Sequence, residues 1–398
     1  MIAYVLPTRD RRATLDRTLA ALGRLPPHGP VGGGMVVIVD NASSSPTRAP
    51  VRLPNDLDVH VVPRPVNEGC AARNAGAQFA ARTAAVEWIV MLDDDSYPTD
   101  AGLFDALRDA DETVGAISAD IHLPEHGEGR RESGGLPEVF VGCGAAVRAR
   151  AFLELGGYDP AFDYYAEEYD LSARLLMTGL RVVFDPRFRV HHHKVAANRS
   201  MGRILRRLVR NNAWVMARYA PADRRADEIR RLVLRYGRIA TLERALGGFV
   251  AGACEAALTL GRQRRTPMGA DLFDRFTGLA HARAALGRAR ELAHFSSACI
   301  VRRGKNDHLI ERALRELGVA IVGDEREAEV RVIGTLSPGP MLDAREELEA
   351  FDAGSPDPVG SRVLLPWLGA RGPKATRAAC THPVMARVDR SPARGTAA

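Results

Sequence analysis

Five cysteines, Cys70, Cys143, Cys254, Cys299 and Cys380, are spread over the 398 residues, odd in number and without a CxxC pair. This excludes a disulfide framework and a thiolate zinc site, and it fits a reducing compartment. Long apolar runs are also missing. The most apolar stretch, residues 246–260, contains Glu255 and several glycines, and it falls short of the roughly 18 residues that a spanning helix needs. Met1 leads into IAYVLPT without the basic n-region or long apolar h-region of a signal peptide. No transmembrane segment and a cytoplasmic location are therefore expected, with contact at a membrane periphery left open. There is no internal repeat. The glycine-rich Gly142-Cys143-Gly144 lies far from the first strand and lacks the full GxGxxG pattern of a dinucleotide site.

What is present is 46% hydrophobic residues, enough for a core, in a chain long enough for two units or for one domain with a sizeable extension. The net charge of +6 comes from arginine and fits anionic partners such as nucleotide phosphates, nucleic acid or lipid; it fits a merely solvated surface equally well. Four β-rich runs, at 2–8, 35–43, 57–63 and 87–95, alternate with helical patterns at 12–25 and 70–84. Such alternation predicts parallel βαβ units and an α/β, Rossmann-like open sheet, whose ligands bind at the carboxyl ends of the strands. Residues 114–193 mix short strands with a helix over 166–178, closed by Gly179. The expected organisation is a catalytic unit at 1–200, a mainly helical extension at 201–298, a small αβ-like piece at 299–365 and a loosely ordered tail at 366–398.

Residues 87–100, EWIVMLDDDSYPTD, run an apolar strand into Asp93, Asp94 and Asp95. Three adjacent carboxylates raise one another's pKa, so keeping them ionised calls for an outside positive charge, and a divalent cation is the obvious candidate. The first two strand ends offer Pro7-Thr8-Arg9 and Asp40, donors and an acceptor suited to a nucleotide, with capping of a helix by Asp40 and Ser43 as the second reading. Asn67, Gly69 and Arg73 sit where a loop enters a helix, so backbone N–H groups and a guanidinium could face an anion. In AEEYDLSARLL, at 166–176, Glu168 points about 100° away from Glu167, while Asp170 and Arg174 share the face of Glu167. Three histidines, 191–193, follow a strand-like run. Arg203, Arg206, Arg207 and Arg210 recur at helical spacing and form a stripe that reads first as a solvated face, second as an anion or lipid contact.

These stretches resemble a family 2 glycosyltransferase of the GT-A fold, close to the rhamnosyltransferase-like branch. The resemblance is carried by LPTRDR (6–11), IVDNASS (38–44), NEGCAARNAG (67–76), WIVMLDDDS (88–96), VGCGAAVRARAFLELGGYDPAF (141–162), YYAEEYDLSARLLMTGLRVVFDP (164–186) and VHHH (190–193), in the family's order. It implies a GT-A nucleotide-diphospho-sugar transferase sheet that moves a sugar from a nucleoside-diphosphate sugar to an acceptor hydroxyl with inversion. By that resemblance Pro7, Thr8, Arg9, Asp40, Asn67, Gly69, Arg73, Asp93 and Asp94 hold the donor nucleotide, Asp93 on its ribose side. Asp95 and His192 meet a Mg²⁺ or Mn²⁺ that bridges the diphosphate, Glu168 is the general base, and Asp170 is the second candidate. The acceptor stays open among a polysaccharide, a lipid-linked glycan and a small natural product, as does the oligomeric state. A nucleotidyltransferase would need glycines after the first strand, which LPTRDR lacks; a nucleic-acid-binding protein rests on charge alone, and no nucleic acid is expected.

Overall fold

A computed structural model describes residues 1–126, 130–194, 200–354 and 362–368. Eight strands form the main sheet: β1 (Ile2–Thr8), β2 (Gly34–Asn41), β3 (Asp58–Arg64), β4 (Trp88–Met91), β5 (Ser96–Pro98), β6 (Val114–His122), β7 (Ala145–Arg148) and β8 (Arg181–His192), in the order β3-β2-β1-β4-β7-β6-β8-β5. The first four are parallel, as alternation with helices predicts, and β7 runs antiparallel to both neighbours. β1 lies between β2 and β4 with helices on both faces, which explains its unbroken apolar sequence.

Helices α1 (Arg12–Leu22), α2 (Ala72–Thr83), α3 (Gly102–Arg108), α4 (Ala149–Glu154) and α5 (Glu167–Met177) flank this sheet. α2 lies very close to it at Gly76, where a Cβ would stand 2.6 Å from Val5 Cγ1 and 2.8 Å from Val39 Cγ2. Any larger residue would therefore push the Arg73 end of the helix off the strand ends.

Beyond the sheet come α6 (Met201–Tyr219), α7 (Arg225–Leu242), α8 (Leu246–Thr259), α9 (Ala270–Thr277) and α10 (Leu279–Leu292). The apolar run at 246–260 becomes α8, packed backbone to backbone on α6: a Cβ at Gly252 would lie 2.4 Å from the Arg206 carbonyl. Among the described residues no helix is long and apolar enough to cross a membrane. The arginine stripe of α6 is largely spent inside the molecule. Arg206 pairs with Glu255 of α8, Arg207 with Asp163, and Arg210 donates to Asn211 Oδ1 at 2.8 Å.

A second, parallel sheet follows, with β9 (Ser297–Val301), β10 (Ala320–Val322), β11 (Val330–Ile333) and β12 (Arg362–Leu364) in the order β10-β9-β11-β12, and with α11 (Asp307–Glu316) and α12 (Pro338–Gly354). Of the tail expected to be loose, Trp367 is anchored by its indole N–H, which donates to the Leu336 carbonyl at 3.0 Å. Residues 369–398 lie outside the described residues.

Candidate active site

The three aspartates after β4 diverge. A tight turn, closed by the Asp93 N–H on Ser96 Oγ at 2.8 Å, sends Asp93 to Arg73 and turns Asp94 and Asp95 toward Arg11. Asp93 is partly exposed and pairs with Arg73 in the first turn of α2. Asp94 is buried and accepts from Thr8 Oγ1 at 2.7 Å and Arg11 Nη1 at 2.5 Å. Asp95, also buried, accepts from Arg11 Nη2 at 2.7 Å through Oδ2. The outside positive charge that the triplet demands is thus supplied in part by two arginines of the chain, one forked over two carboxylates. Burial still pushes Asp94 up to about 7 against Arg11 and Thr8. Burial acts the same way on Asp95, but His192 and Arg11 outweigh it and hold that group down to about 2.

Strand pairing brings His192 to Asp95 across 97 residues of sequence. Ser96 of β5 faces His192 of β8, and the His193 N–H donates to the Asp95 carbonyl at 2.8 Å. Alternation along β8 then turns only the middle histidine inward, while His193 stacks with Tyr97. His192 Nδ1 lies 2.9 Å from Glu132 Oε2, which fixes the ring and leaves Nε2 as its free nitrogen. Nε2 and Asp95 Oδ1 are both buried without a hydrogen-bond partner, and they lie 3.4 Å apart. Burial disfavours a charged ring, yet Cys143, Asp95 and Glu132 raise the His192 pKa, so positive charge is welcome between these two atoms. A carboxylate oxygen and an imidazole nitrogen, buried without a hydrogen bond and paired only with each other, fit a hard divalent cation. Asp93, Cys143 and His192 also offer ligand atoms within 4.8 Å of one another. Cys143 is a soft sulfur ligand, however, which suits Mg²⁺ or Mn²⁺ poorly, so Asp95 with His192 fits better.

Glu168 stands in the first turn of α5, after Tyr165 and Ala166, whose φ values of 70° and 66° are unusual for side chains with a Cβ. The amide of Asn211 on α6 holds this turn in place, donating to the carbonyls of Phe162, Tyr164 and Tyr165 at 2.9, 2.8 and 2.7 Å. Glu168 Oε1 accepts from the Gly142 N–H at 3.2 Å. Burial raises the pKa of Glu168 and raises that of its neighbour Glu167 well above the usual range. Asp170 is spent elsewhere: it accepts from Arg174 Nε at 2.9 Å, Arg218 Nη1 at 2.8 Å and Tyr219 Oη at 2.6 Å, tying α5 to α6.

A cavity of about 690 Å³ joins these groups. Pro7, Thr8, Arg9, Gly69, Arg73, Asp93, Asp94, Glu168 and His192 line it; Asp40, Asn67, Asp95 and Asp170 do not. Asp40 is consumed by its own loop, accepting from the N–H groups of Ser43 and Thr47, both at 2.9 Å, and no helix follows for it to cap. Asn67 accepts from Asn41 and Gly69 and shapes the loop instead of the wall. Gly69 has φ 58°, and a Cβ there would stand 2.3 Å from the Asp163 carbonyl, so no other residue fits. The sequence reading missed Arg11, although it lies within the LPTRDR stretch. It also missed Asn41, the tyrosines 164, 165, 169 and 236, and Lys305 and Thr335, which only the tertiary fold delivers to the cavity. A separate cavity of about 720 Å³, between β8 and α10, contains none of the predicted residues.

The curled, parallel-rich sheet resembles that of the GT-A fold. The sequence match bears on the first part of the chain: residues 4–151 fit the model of glycosyl transferase family 2, which supports a glycosyltransferase. No curated protein sequence matches the chain. Among solved structures, the chain is similar to the mannosyltransferase PcManGT from Pyrobaculum calidifontis in complex with GDP-Man and Mn²⁺, at 20% identity and TM-score 0.45, over 74% of this chain and 81% of that one. It is also similar to GalNAc-T7 with UDP, GalNAc and Mn²⁺, at 19% identity and TM-score 0.46, over 66% of this chain and 57% of that one. A third is TarS 1-349 of S. aureus in complex with UDP, at 16% identity and TM-score 0.43, over 65% of this chain and 82% of that one.

Proposed function

We propose that the protein is a metal-dependent inverting glycosyltransferase that moves a sugar from a nucleoside-diphosphate sugar to an acceptor hydroxyl by direct displacement, with Glu168 as general base. The carrying observation is that Glu168, alone of the two base candidates, lines the cavity that also holds Asp93, Asp94 and His192. Its raised pKa suits a group that must take up a proton near neutrality. Glu168 removes the acceptor proton as that oxygen bonds to the anomeric carbon, and the bond to the diphosphate breaks with its electron pair leaving on the nucleotide. Arg73 holds the diphosphate end of the donor, and the tyrosines opposite give the sugar flat apolar surfaces. Asp95 and His192 would hold the Mg²⁺ or Mn²⁺, which when bound neutralises charge on the departing diphosphate. Asp170 positions α5 on α6.

The test is a thermal-shift series with UDP, GDP, dTDP and CMP, each with and without Mn²⁺, on wild type and on Asp95→Ala. A shift with one nucleotide that needs Mn²⁺ and disappears in Asp95→Ala supports the reading. A nucleotide shift indifferent to both removes the metal from it.

A further inference from the structure

The small C-terminal sheet contributes loop residues to the wall of the catalytic cavity. In a sheet ordered β10-β9-β11-β12, the chain leaves β9 toward one side and β11 toward the other. The gap between their carboxyl ends is therefore the switch point at which parallel α/β sheets bind ligands. The loops that follow these strands, 302–306 and 334–337, supply Gly304, Lys305, Thr335 and Ser337 to the cavity wall. They are tied to each other, with the Gly304 N–H on the Gly334 carbonyl at 2.8 Å and the Leu336 N–H on the Lys305 carbonyl at 3.0 Å. They are also tied to the catalytic domain: Arg131 binds Asp343 and Glu346 of α12 at 2.9 and 2.8 Å, and Ser337 Oγ bonds to both the N–H and the carbonyl of Gly134. This wall is a built part of the site.

Lys305 is one of three lysines among 55 basic residues, and among the described residues the ion pairs are made by arginine and histidine, apart from the pairing of Lys194 with Glu132. Its ammonium lies over the Tyr169 ring, 4.5 Å from the centroid, and among the described residues no carboxylate comes within ion-pair distance of it. Burial lowers its pKa to about 8, with Glu168 acting the other way. Thr335 is buried, and its hydroxyl accepts from the Ser337 N–H at 3.3 Å while donating to nothing among the described residues. Arg235 of α7 lines the same cavity, again without an ion pair among the described residues. Unspent donors on one side of a cavity that also holds the general base call for an anion beside the attacking hydroxyl.

We propose that the crevice between β9 and β11 is an acceptor subsite for an anionic group, a phosphate or a carboxylate, bound by the Lys305 ammonium and the Thr335 hydroxyl, so that the enzyme glycosylates an acidic acceptor. This rests on the glycosyl-transfer reading of the cavity. It makes the C-terminal unit, outside the family match, the element that selects the substrate.

With three lysines, amine labelling resolves each site by peptide mass spectrometry. The full chain, with and without Mn²⁺ and whichever nucleoside diphosphate raises its midpoint, is acetylated in the presence of inorganic phosphate, glucuronate or neutral methyl glucoside. The expected result is slower labelling of Lys305 with one of the anions, several-fold relative to Lys374, and no slowing with methyl glucoside. Phosphate against glucuronate tells which anion the site prefers. By calorimetry, Lys305→Met should weaken binding of the protecting anion about tenfold, the loss of one charge-assisted hydrogen bond, and Thr335→Val should weaken it less. The midpoint shift with nucleotide in the same variants reports that the donor half is intact. Equal labelling of Lys305 under all conditions, while a nucleotide still raises the midpoint, overturns the subsite and leaves glycosyl transfer standing. Protection by anion with no nucleotide shift keeps the subsite and removes its assignment to an acceptor.

Discussion

The side-chain amide of Asn211 donates to the carbonyl of Tyr165 at 2.7 Å, so a residue of the helical extension holds the backbone turn that aims the proposed base. Two N–H groups serve three carbonyls here, and both are always engaged. Tyr165 and Ala166 keep left-handed backbones because this clamp and the burial of Ala166 over-determine them. Asn211→Leu keeps the volume and removes the donors, and it should cost about 1–3 kcal/mol of stability. Turnover should fall further than nucleotide affinity, because the clamp lies on the Glu168 side. Urea denaturation and nucleotide titration of the same sample check both; unchanged turnover in a destabilised variant would mean that the turn needs no clamp.

Arg11 carries two buried carboxylates, so Arg11→Leu should destabilise by about 3–5 kcal/mol. Arg11→Lys should recover only part of this, since a point charge cannot bridge Asp94 and Asp95 as a fork does. The sign with pH follows from the two acids. Asp95, with its pKa lowered, contributes stability above the unfolded value of about 3.9 that is lost on acidification; Asp94, with its pKa raised, costs stability that grows from about 3.9 upward and is full above its folded value of about 7. Losing Arg11 worsens both above that range. The gap between variant and wild type, read by denaturation at pH 8 and pH 5, should therefore narrow toward acid, and a gap independent of pH would place the effect in packing.

Glu132 orients His192 through Nδ1. Glu132→Gln should weaken Mn²⁺ binding about 10–100-fold, as loss of such an orienting carboxylate does elsewhere, and Asp95→Asn should weaken it at least as much. Electron paramagnetic resonance of free Mn²⁺ during titration measures this directly. Full affinity in Asp95→Asn, with loss in Cys143→Ala, would move the ion to the group formed by Asp93, Cys143 and His192.

The N-terminal fold was legible because its signals are local. Apolar β-branched runs separated by amphipathic stretches, and polar residues at each strand end, are properties of a few adjacent residues. Burial was less legible: Asp95 and Asp94 share a turn and Arg11, yet only Asp94 reaches the cavity, while Asp95 meets His192 of β8, distant in sequence. Asp40 sat at the right strand end for a nucleotide and proved to close its own loop. Asp170 matched the base by spacing, but α6 delivers Arg218 and Tyr219 to it, and nothing in residues 166–176 announces those partners. Lys305 was invisible for the same reason, since two loops of a separate sheet bring it in from beyond the resemblance.

The proposed base gives the sharpest kinetic expectation. Glu168→Gln should lower kcat about 10²–10⁴-fold with little change in nucleotide affinity, because the lost step is proton removal. Only ionised Glu168 can accept the proton, and burial holds its pKa above the ordinary glutamate range. Activity should therefore rise with pH through that elevated value and level off above it. Gly142→Ala places a Cβ 3.0 Å from Glu168 Oε1 and removes the room in which its N–H bonds that oxygen, so it should cut kcat while keeping an acid limb. Asp170→Asn separates the two candidates: it should lower the melting midpoint by breaking the tie to Arg218 and Tyr219, and leave the limb in place. An acid limb that survives in Glu168→Gln and disappears in Asp170→Asn would exchange the two roles. Profiles of kcat against pH for the four proteins, with saturating nucleotide sugar and Mn²⁺, decide it.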